Sequence, residues 1–349
     1  MNSKERLRAA ASFKSVDRAP AGFEATASVV EKLKRHYRFQ DIENIYKRFE
    51  IDLRYLSPPY IGPELKTSRS VNGNLVAQSF WGFKEEEYRV GDEVFHQTCF
   101  YPLDGVSTIK EVEDFHWPNA DWFDYKAMAR ECQRFPHKAI VAGHEGPFQI
   151  VTCLIRMEEF FVLMVKEPQV AKRILDKMVE FELEYYQRML EACEGQIDVL
   201  RLHDDYGTQI STLFSVEMWC DFFKDNTRRL ADIAHQYNAF YQQHSCGAIS
   251  PLIPELIKCG VDIIEPIQKL TGLEPETLLK RYGGKIAFHG GIDTQGILPY
   301  GTPEEVKTET CHYLKTLNLP GGYILMASQS FESDVPIENI EAVYSANRI

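Results

Sequence analysis

The chain has no Cys-x-x-Cys pair, although it carries eight cysteines in 349 residues. That spacing excludes the usual dithiol and zinc-ribbon signatures, and the density is too low for a disulfide scaffold. There is no apolar run of roughly eighteen residues, so no helix spans a membrane. Neither a Gly-x-Gly-x-x-Gly turn nor a P-loop occurs, and nothing marks a nucleotide cofactor. Positive charge is scarce: 39 Lys plus Arg stand against 51 Asp plus Glu, a formal charge of -12. Nucleic acid is thereby excluded as the main partner. A neutral small molecule, an acidic protein or an anion in a local basic pocket remains compatible. Met-Asn-Ser-Lys-Glu-Arg leads straight into a charged helical pattern without an apolar signal region, so a reduced, cytoplasmic protein is expected.

What is present is enough apolar material for a large core, 44% hydrophobic against 26% charged residues. Ser3 to Phe13 is expected to be an amphipathic helix capped by Ser3, and residues 28–34 and 42–49 continue a helical N-terminal extension. Short apolar strands fall near 21, 52, 139, 199, 240, 263, 287 and 323, and helical patterns separate the later ones. Thr302, Pro303 and Glu305 form a capping box with proline at the first helical position. Eight β-then-α units of this kind predict an α/β fold, a (β/α)8 TIM-like barrel. A doubly wound sheet is the alternative, and it would want the missing Gly-rich loop. Residues 66–100 break the rhythm. Asn72-Gly73 and Gly91-Asp92 are hairpin turns between strand-type residues, which predicts an inserted β-hairpin lobe on a single domain spanning 1–349.

The late strands end in polar clusters: His144-Glu145, His203-Asp204-Asp205, His244-Ser245-Cys246, Glu265, His289 and Ser328-Gln329. In a barrel the C-terminal strand ends carry the chemistry. His244 and Cys246 are two apart on an extended backbone and so point the same way, an imidazole and a thiol suited to zinc. Gly247 then lets the chain turn away closely. The third ligand is open between Glu265, His289 and Gln329. Glu265 has the better chemistry and lies on the adjacent strand. His203, Asp204 and Asp205 lie one strand back and could move a proton to a leaving oxygen or orient a cationic substrate. Asp205 and Ser245 could equally be helix caps. Alternation puts Arg201 on the face of His203 as a buried partner for a carboxylate.

Several stretches resemble the uroporphyrinogen decarboxylase superfamily: "ERLRAAASFKSVDRAP", "GPFQIVTCL", "RLHDDYGTQ", "HSCG", "GVDIIEPIQ", "GGIDTQGILPYGTPEEV" and "GGYILMASQSFESDVPIENIEAV". The resemblance covers essentially the whole chain and implies a distorted barrel with an N-terminal extension and a β-hairpin lobe. It implies two candidate activities. True decarboxylases hold substrate carboxylates with an arginine-rich stretch, whose counterpart here is "AGFEATA" (21–27), without arginine. Asp52 matches the aspartate that contacts the pyrrole nitrogens, but Cys153, Asp205 and Gln329 replace the family's tyrosine, serine and histidine. The other branch comprises zinc-dependent methyltransferases of corrinoid metabolism, whose His-x-Cys pair His244 and Cys246 match. Their later Cys falls near Ser328 or Gln329, so the third ligand departs from the pattern.

The resemblance therefore implies a methyltransferase that uses zinc and a corrinoid carried by a partner protein. Its substrate would be a small methylated compound such as an aryl methyl ether. The metal ligands would be His244, Cys246 and Glu265. His144, His203, Asp204, Asp205 and Asp52 would serve the reacting groups, with Gln329, His289 and Tyr206 on the cofactor side. The 66–100 lobe would form part of the rim for the partner or pair two subunits in a homodimer. Cofactor-free decarboxylation of a tetrapyrrole or aromatic acid is the alternative, and non-enzymatic carriage of a pigment a third reading.

Overall fold

The computed structural model describes every residue except Asp92, Thr271 and Ile349. The first helix, α1 (Ser3–Ala11), is capped by Asn2 and not by Ser3. Glu5 falls three residues after Asn2, so side chain and backbone close a reciprocal capping box one residue earlier than expected. Helices α2 (Ala27–Tyr37) and α3 (Ile42–Arg48) complete the N-terminal extension.

The strands are β1 (Leu53–Tyr55), β2 (Thr67–Arg69), β3 (Leu75–Gln78), β4 (Lys84–Val90), β5 (Glu93–Phe100), β6 (Ala139–Ala142), β7 (Ile197–His203), β8 (Phe240–His244), β9 (Ile263–Ile267), β10 (Ala287–Gly290) and β11 (Tyr323–Ile324). Seven of them form one parallel sheet in the order β1-β6-β7-β8-β9-β10-β11. Helices alternate with these strands and cover them, which is why β6 to β10 are buried almost throughout. The sheet curls as a distorted TIM-like barrel does. The eighth expected strand, near residue 21, is not regular. Segment 20–25 lies between the edge strands by single bonds: Leu325 N donates to Pro20 O, Gly22 N to Leu325 O and Asp52 N to Ala21 O. Pro20 has no amide hydrogen to continue a ladder there.

Residues 67–100 form a four-stranded antiparallel sheet, β2-β3-β4-β5, more than the hairpin excursion expected. Asn72-Gly73 turns β2 into β3, with Gly73 at φ 82°. The second turn holds Gly91, while Asp92 lies outside the described residues. The sheet is anchored by Trp81 and Phe83, which join the main core; the Trp81 ring meets Phe181 edge-on at 5.0 Å.

Inward-facing residues stack in tiers, as side-chain alternation requires. Leu53, Val141, Val199, Ile263, Ala287 and Ile324 fill the bottom tier, and Leu7 and Ala11 of α1 plug it. Two residues further along β7, β9 and β10, and at the matching level of β8, the interior turns polar: Arg201, Glu265, His289 and Gln242 are all buried. One step higher, His203 and His244 sit side by side in register. The core supports the floor and the strands lift the polar groups to the C-terminal rim.

Candidate metal centre and cleft

Arg201 organises the polar tier. Its Nε and Nη2 donate to both oxygens of Glu265, the Nη2 bond at 2.5 Å, and its Nη1 donates to Glu24 Oε1 at 2.7 Å. Gln242 Nε2 donates to Glu265 Oε2 at 2.6 Å. Burial works against the Glu265 charge, but Arg201 and then His244 overcome it and hold its pKa well below the usual range. The expected carboxylate partner for Arg201 is thus Glu265, with Glu24 as a second. The next link is His289, whose Nδ1 stands 3.4 Å from Gln242 Oε1. Since the Gln242 amide nitrogen already serves Glu265, the glutamine oxygen accepts and His289 carries its proton on Nδ1. Burial lowers the His289 pKa to about 4.

His244 ends β8 above this network. Its Nδ1 faces Glu265 Oε1 at 3.4 Å. Its Nε2 lies 3.5 Å from Cys246 Sγ and 3.5 Å from Asp205 Oδ1. Cys246 N donates to Asp205 Oδ1 at 2.7 Å, which fixes the aspartate beside the thiol. Gly247, at φ 92°, lets the chain fold back so closely that a Cβ there would lie 2.4 Å from the Gly207 carbonyl carbon. Burial disfavours a charged His244, but Glu265 and Asp205 outweigh it and raise its pKa well above the ordinary value. The same contact holds Asp205 below the carboxylate range in spite of burial.

Asp205, His244 and Cys246 offer one ligand atom each, all within 4.8 Å of one another. Zinc bonds of about 2.0–2.3 Å at tetrahedral angles imply ligand-to-ligand edges of about 3.3–3.6 Å. The His244–Cys246 and His244–Asp205 separations, both 3.5 Å, match such edges. The donor set therefore fits a zinc-type ion. Cys246 and Asp205 are partly exposed, so the cluster opens toward solvent on one side. Gln329 Nε2 donates to Cys246 Sγ at 3.0 Å from that side.

Beside the cluster lies a cleft of ≈ 570 Å³ at the C-terminal strand ends. Phe23, Tyr46, Tyr55, Phe80, Phe123 and Tyr185 supply its aromatic walls, and Glu24, His144, Glu145, Arg201 and His203 its polar ones. The His203 ring stacks on His244 at 4.5 Å and 17°. Burial first, then the Arg201 and His244 charges, push the His203 pKa down to about 3, so it is neutral at physiological pH. Burial also lowers His144, whose Nε2 has no hydrogen-bond partner among the described residues.

The structure separates the expected site residues. His144, His203, Asp205, His244, Cys246 and Gln329 meet at the cleft and cluster. Glu265 touches the imidazole edge that faces away from Cys246, with both its oxygens engaged by Arg201 and Gln242, whereas Asp205 lies on the same side of the imidazole as Cys246. His289 lies a tier below, fully buried. Asp204 points away from the cluster: its Oδ1 accepts from Gln149 N at 2.8 Å and its Oδ2 from Tyr206 OH at 2.8 Å. Burial raises Asp204 to about 7, and it secures the helix at Pro147–Leu154. Tyr206 is buried against Phe148 and Trp219. Asp52 sits at the start of β1, the opposite end from the cleft, held by Arg6 Nη1 at 2.6 Å and Arg18 Nη1 at 2.7 Å. Glu24 and Tyr55, which the sequence reading did not select, also line the cleft; Tyr55 ends β1 and Glu24 stands in segment 20–25 beside it.

A family model for uroporphyrinogen decarboxylase (URO-D) matches residues 94–348. The chain belongs to the URO-D family. Among curated proteins, methylcobamide:CoM methyltransferase MtaA of Methanosarcina barkeri (strain Fusaro / DSM 804) is 24% identical over 213 residues, 60% of this chain and 58% of that protein. A methylated-thiol–coenzyme M methyltransferase of Methanosarcina mazei is 25% identical over 202 residues, 58% of this chain and 50% of that protein. The chain thus matches only about half the length of these relatives. A solved structure of a methyltransferase from Methanosarcina mazei has the same fold, with TM-score 0.69 at 17% identity over 99% of this chain and 98% of that one. Within the URO-D family the chain is therefore close to the corrinoid and coenzyme M methyltransferases.

Proposed function

We propose that the chain is a zinc-dependent methyltransferase that moves a methyl group between a small methylated substrate in the cleft and a corrinoid carried by a partner protein. Asp205, His244 and Cys246 would hold the metal. The observation that carries this reading is their mutual spacing at the open end of the barrel, next to a cleft of substrate size. Zinc there would act as a Lewis acid on the substrate heteroatom.

The chain's own residues do the rest. Glu265 holds the Nδ1 edge of His244 and leaves Nε2 for the metal, the usual carboxylate–imidazole arrangement behind a ligand. Arg201 fixes Glu265 in turn. His203, neutral and stacked on His244, limits water access to the ligand ring and offers a neutral hydrogen bond to the substrate. The aromatic walls favour a flat apolar body, which supports an aryl methyl ether as methyl donor. We read the whole chain as one barrel domain, with segment 20–25 as its eighth stave and the 67–100 sheet on the rim of the mouth, where a corrinoid domain or a second subunit would approach. Phe80, which follows β3, reaches the cleft wall. All eight cysteines are free thiols, in keeping with a cytosolic protein.

Nothing favours decarboxylation of a tetrapyrrole. That reaction would want basic residues in the cleft, yet Arg201 is occupied by Glu24 and Glu265, and Arg156 pairs with Asp104 and Glu159 on the surface.

The test is spectroscopic. Purified protein is loaded with zinc and mixed with reduced cobalamin and methoxyarenes, and methylcobalamin formation is followed by absorbance. Zinc-dependent methylation supports the assignment. Methylation unchanged after chelation of the metal, or carbon dioxide release in its place, would overturn it.

A further inference from the structure

The cleft has a fixed charge pattern that bears on which substrates can enter. Among its described lining residues there is no lysine, and Arg201 is the single arginine. That guanidinium is not available to a ligand. Glu24 and Glu265 occupy its donors, and the Tyr55 ring covers it at 5.3 Å. Glu145, exposed at the rim, has no cationic partner within salt-bridge distance among the described residues. Two lining carboxylates, Glu24 and Glu145, therefore face the cleft with one guanidinium that is already shared with a third. A dication held by Asp205 and a Cys246 thiolate would have its charge cancelled by its own ligands. Around this negative bias stand six aromatic rings, whose faces attract cations and tolerate neutral groups.

We propose that Glu24 and Glu145 make the cleft a charge filter, admitting uncharged or cationic methylated arenes and rejecting those with a carboxylate or sulfonate. This deepens the function proposed above and rests on its placing the substrate in the cleft. The physical cause is that an incoming anion would leave water for a cavity with no free cation, next to a carboxylate of like sign. A cationic tail instead gains Glu145 at the rim and a ring face behind it. Glu145 sets the preference in the accessible part of the cleft. Glu24 sets it deeper, where it also consumes the charge of Arg201.

A series with one arene and three tails tests this: para-methoxyphenethylammonium, para-methoxyphenethyl alcohol and para-methoxyphenylacetate. Binding to the zinc-loaded chain is measured by calorimetry, without cobalamin. The acetate is expected to bind at least about tenfold more weakly than the alcohol, and the ammonium at least as tightly as the alcohol. Glu145→Gln should narrow that spread and Glu145→Lys should favour the acetate. Glu145 is exposed, so both variants should fold, which a melting curve checks. An acetate that binds as well as the alcohol, an order untouched by Glu145→Lys, or no binding by any of the three would overturn the filter. Because binding is read apart from methyl transfer, the two proposals can fail separately. A protein that transfers methyl but binds all three alike loses the filter alone; one that shows the order but transfers nothing loses the reaction alone.

Discussion

Glu265 and Asp205 address opposite edges of one imidazole: Glu265 Oε1 stands 3.4 Å from His244 Nδ1, and Asp205 Oδ1 stands 3.5 Å from His244 Nε2. Only the second edge also faces Cys246. The two carboxylates should therefore respond differently when neutralised. His244→Ala and Cys246→Ser should abolish stoichiometric zinc. Asp205→Asn removes a proposed ligand, and Glu265→Gln only the support behind one, a change that costs about 10–100-fold in metal affinity. Cobalt substitution separates them. The sulfur-to-cobalt absorption should persist in Glu265→Gln and vanish in Cys246→Ser, while Asp205→Asn should alter the ligand-field bands. An Asp205→Asn protein with unchanged metal affinity and spectrum would remove Asp205 from the ligand set.

Most of the scaffold was legible because its strands are unusual in composition. "IDVLRLH" and "VDIIEPI" are mostly apolar on both faces, as a sheet covered on both sides demands, and are interrupted by Asp198, Arg201, Asp262 and Glu265. The strand expected near 21 forms no regular ladder, only isolated bridges at Ala21 and Ala25, and Pro20 lacks a donor. The helix breaks at Ile155–Arg156 and at Phe223 carry no glycine or proline in the sequence to mark them. At the site, the pairing of His244 with Cys246 followed from two-residue alternation. Which carboxylate joins them did not. Strand adjacency brings Glu265 to His244, but only three-dimensional placement shows that it meets Nδ1. Asp205 reaches Nε2 from a loop whose path no periodicity encodes.

Asp52 offers a contrast between resemblance and position. It is fully buried, accepts bonds from Arg6, Arg18 and Ala21 N, and ties the N-terminal helix and segment 20–25 to β1. Asp52→Asn leaves two arginines without their shared charge. A stability loss of about 3 kcal/mol or more is expected in urea denaturation, in the range for breaking a buried pair. Zinc content of the folded variant should be unchanged. A stable Asp52→Asn protein that had lost methyl transfer would return this residue to the active site.

Arg201 joins two carboxylates, one of them Glu265 with a side chain 1% exposed. Arg201→Met strands both, and about 3–5 kcal/mol of stability should go with it. Arg201→Lys keeps the charge but not the planar fork and should fall between wild type and Arg201→Met. The double variant Arg201→Met with Glu265→Gln should recover part of the loss, because the more deeply buried of the two stranded charges is gone. Additive losses in that cycle would show that the pair contributes no coupling.

His289 predicts how stability depends on pH. In the unfolded chain its imidazole titrates near about 6.5. In the folded chain burial holds it at about 4. Between those values the unfolded state binds a proton that the folded state refuses, so stability must fall as pH drops through that window. The slope from this group approaches about 1.4 kcal/mol per pH unit, and the group contributes no slope above about pH 7.5. Carboxylates and His203 titrate in the acid range as well, so the quantity to measure is a difference. Urea denaturation of wild type and His289→Gln at half-unit steps from neutrality to acid should give curves that are parallel near neutral pH. They should converge or cross as the pH falls, by about 3 kcal/mol in total. Curves parallel throughout would mean that His289 accepts its proton in the folded state as readily as in the unfolded one. The chain Arg201–Glu265–Gln242–His289 could not then be the closed, neutral-imidazole network that its geometry describes.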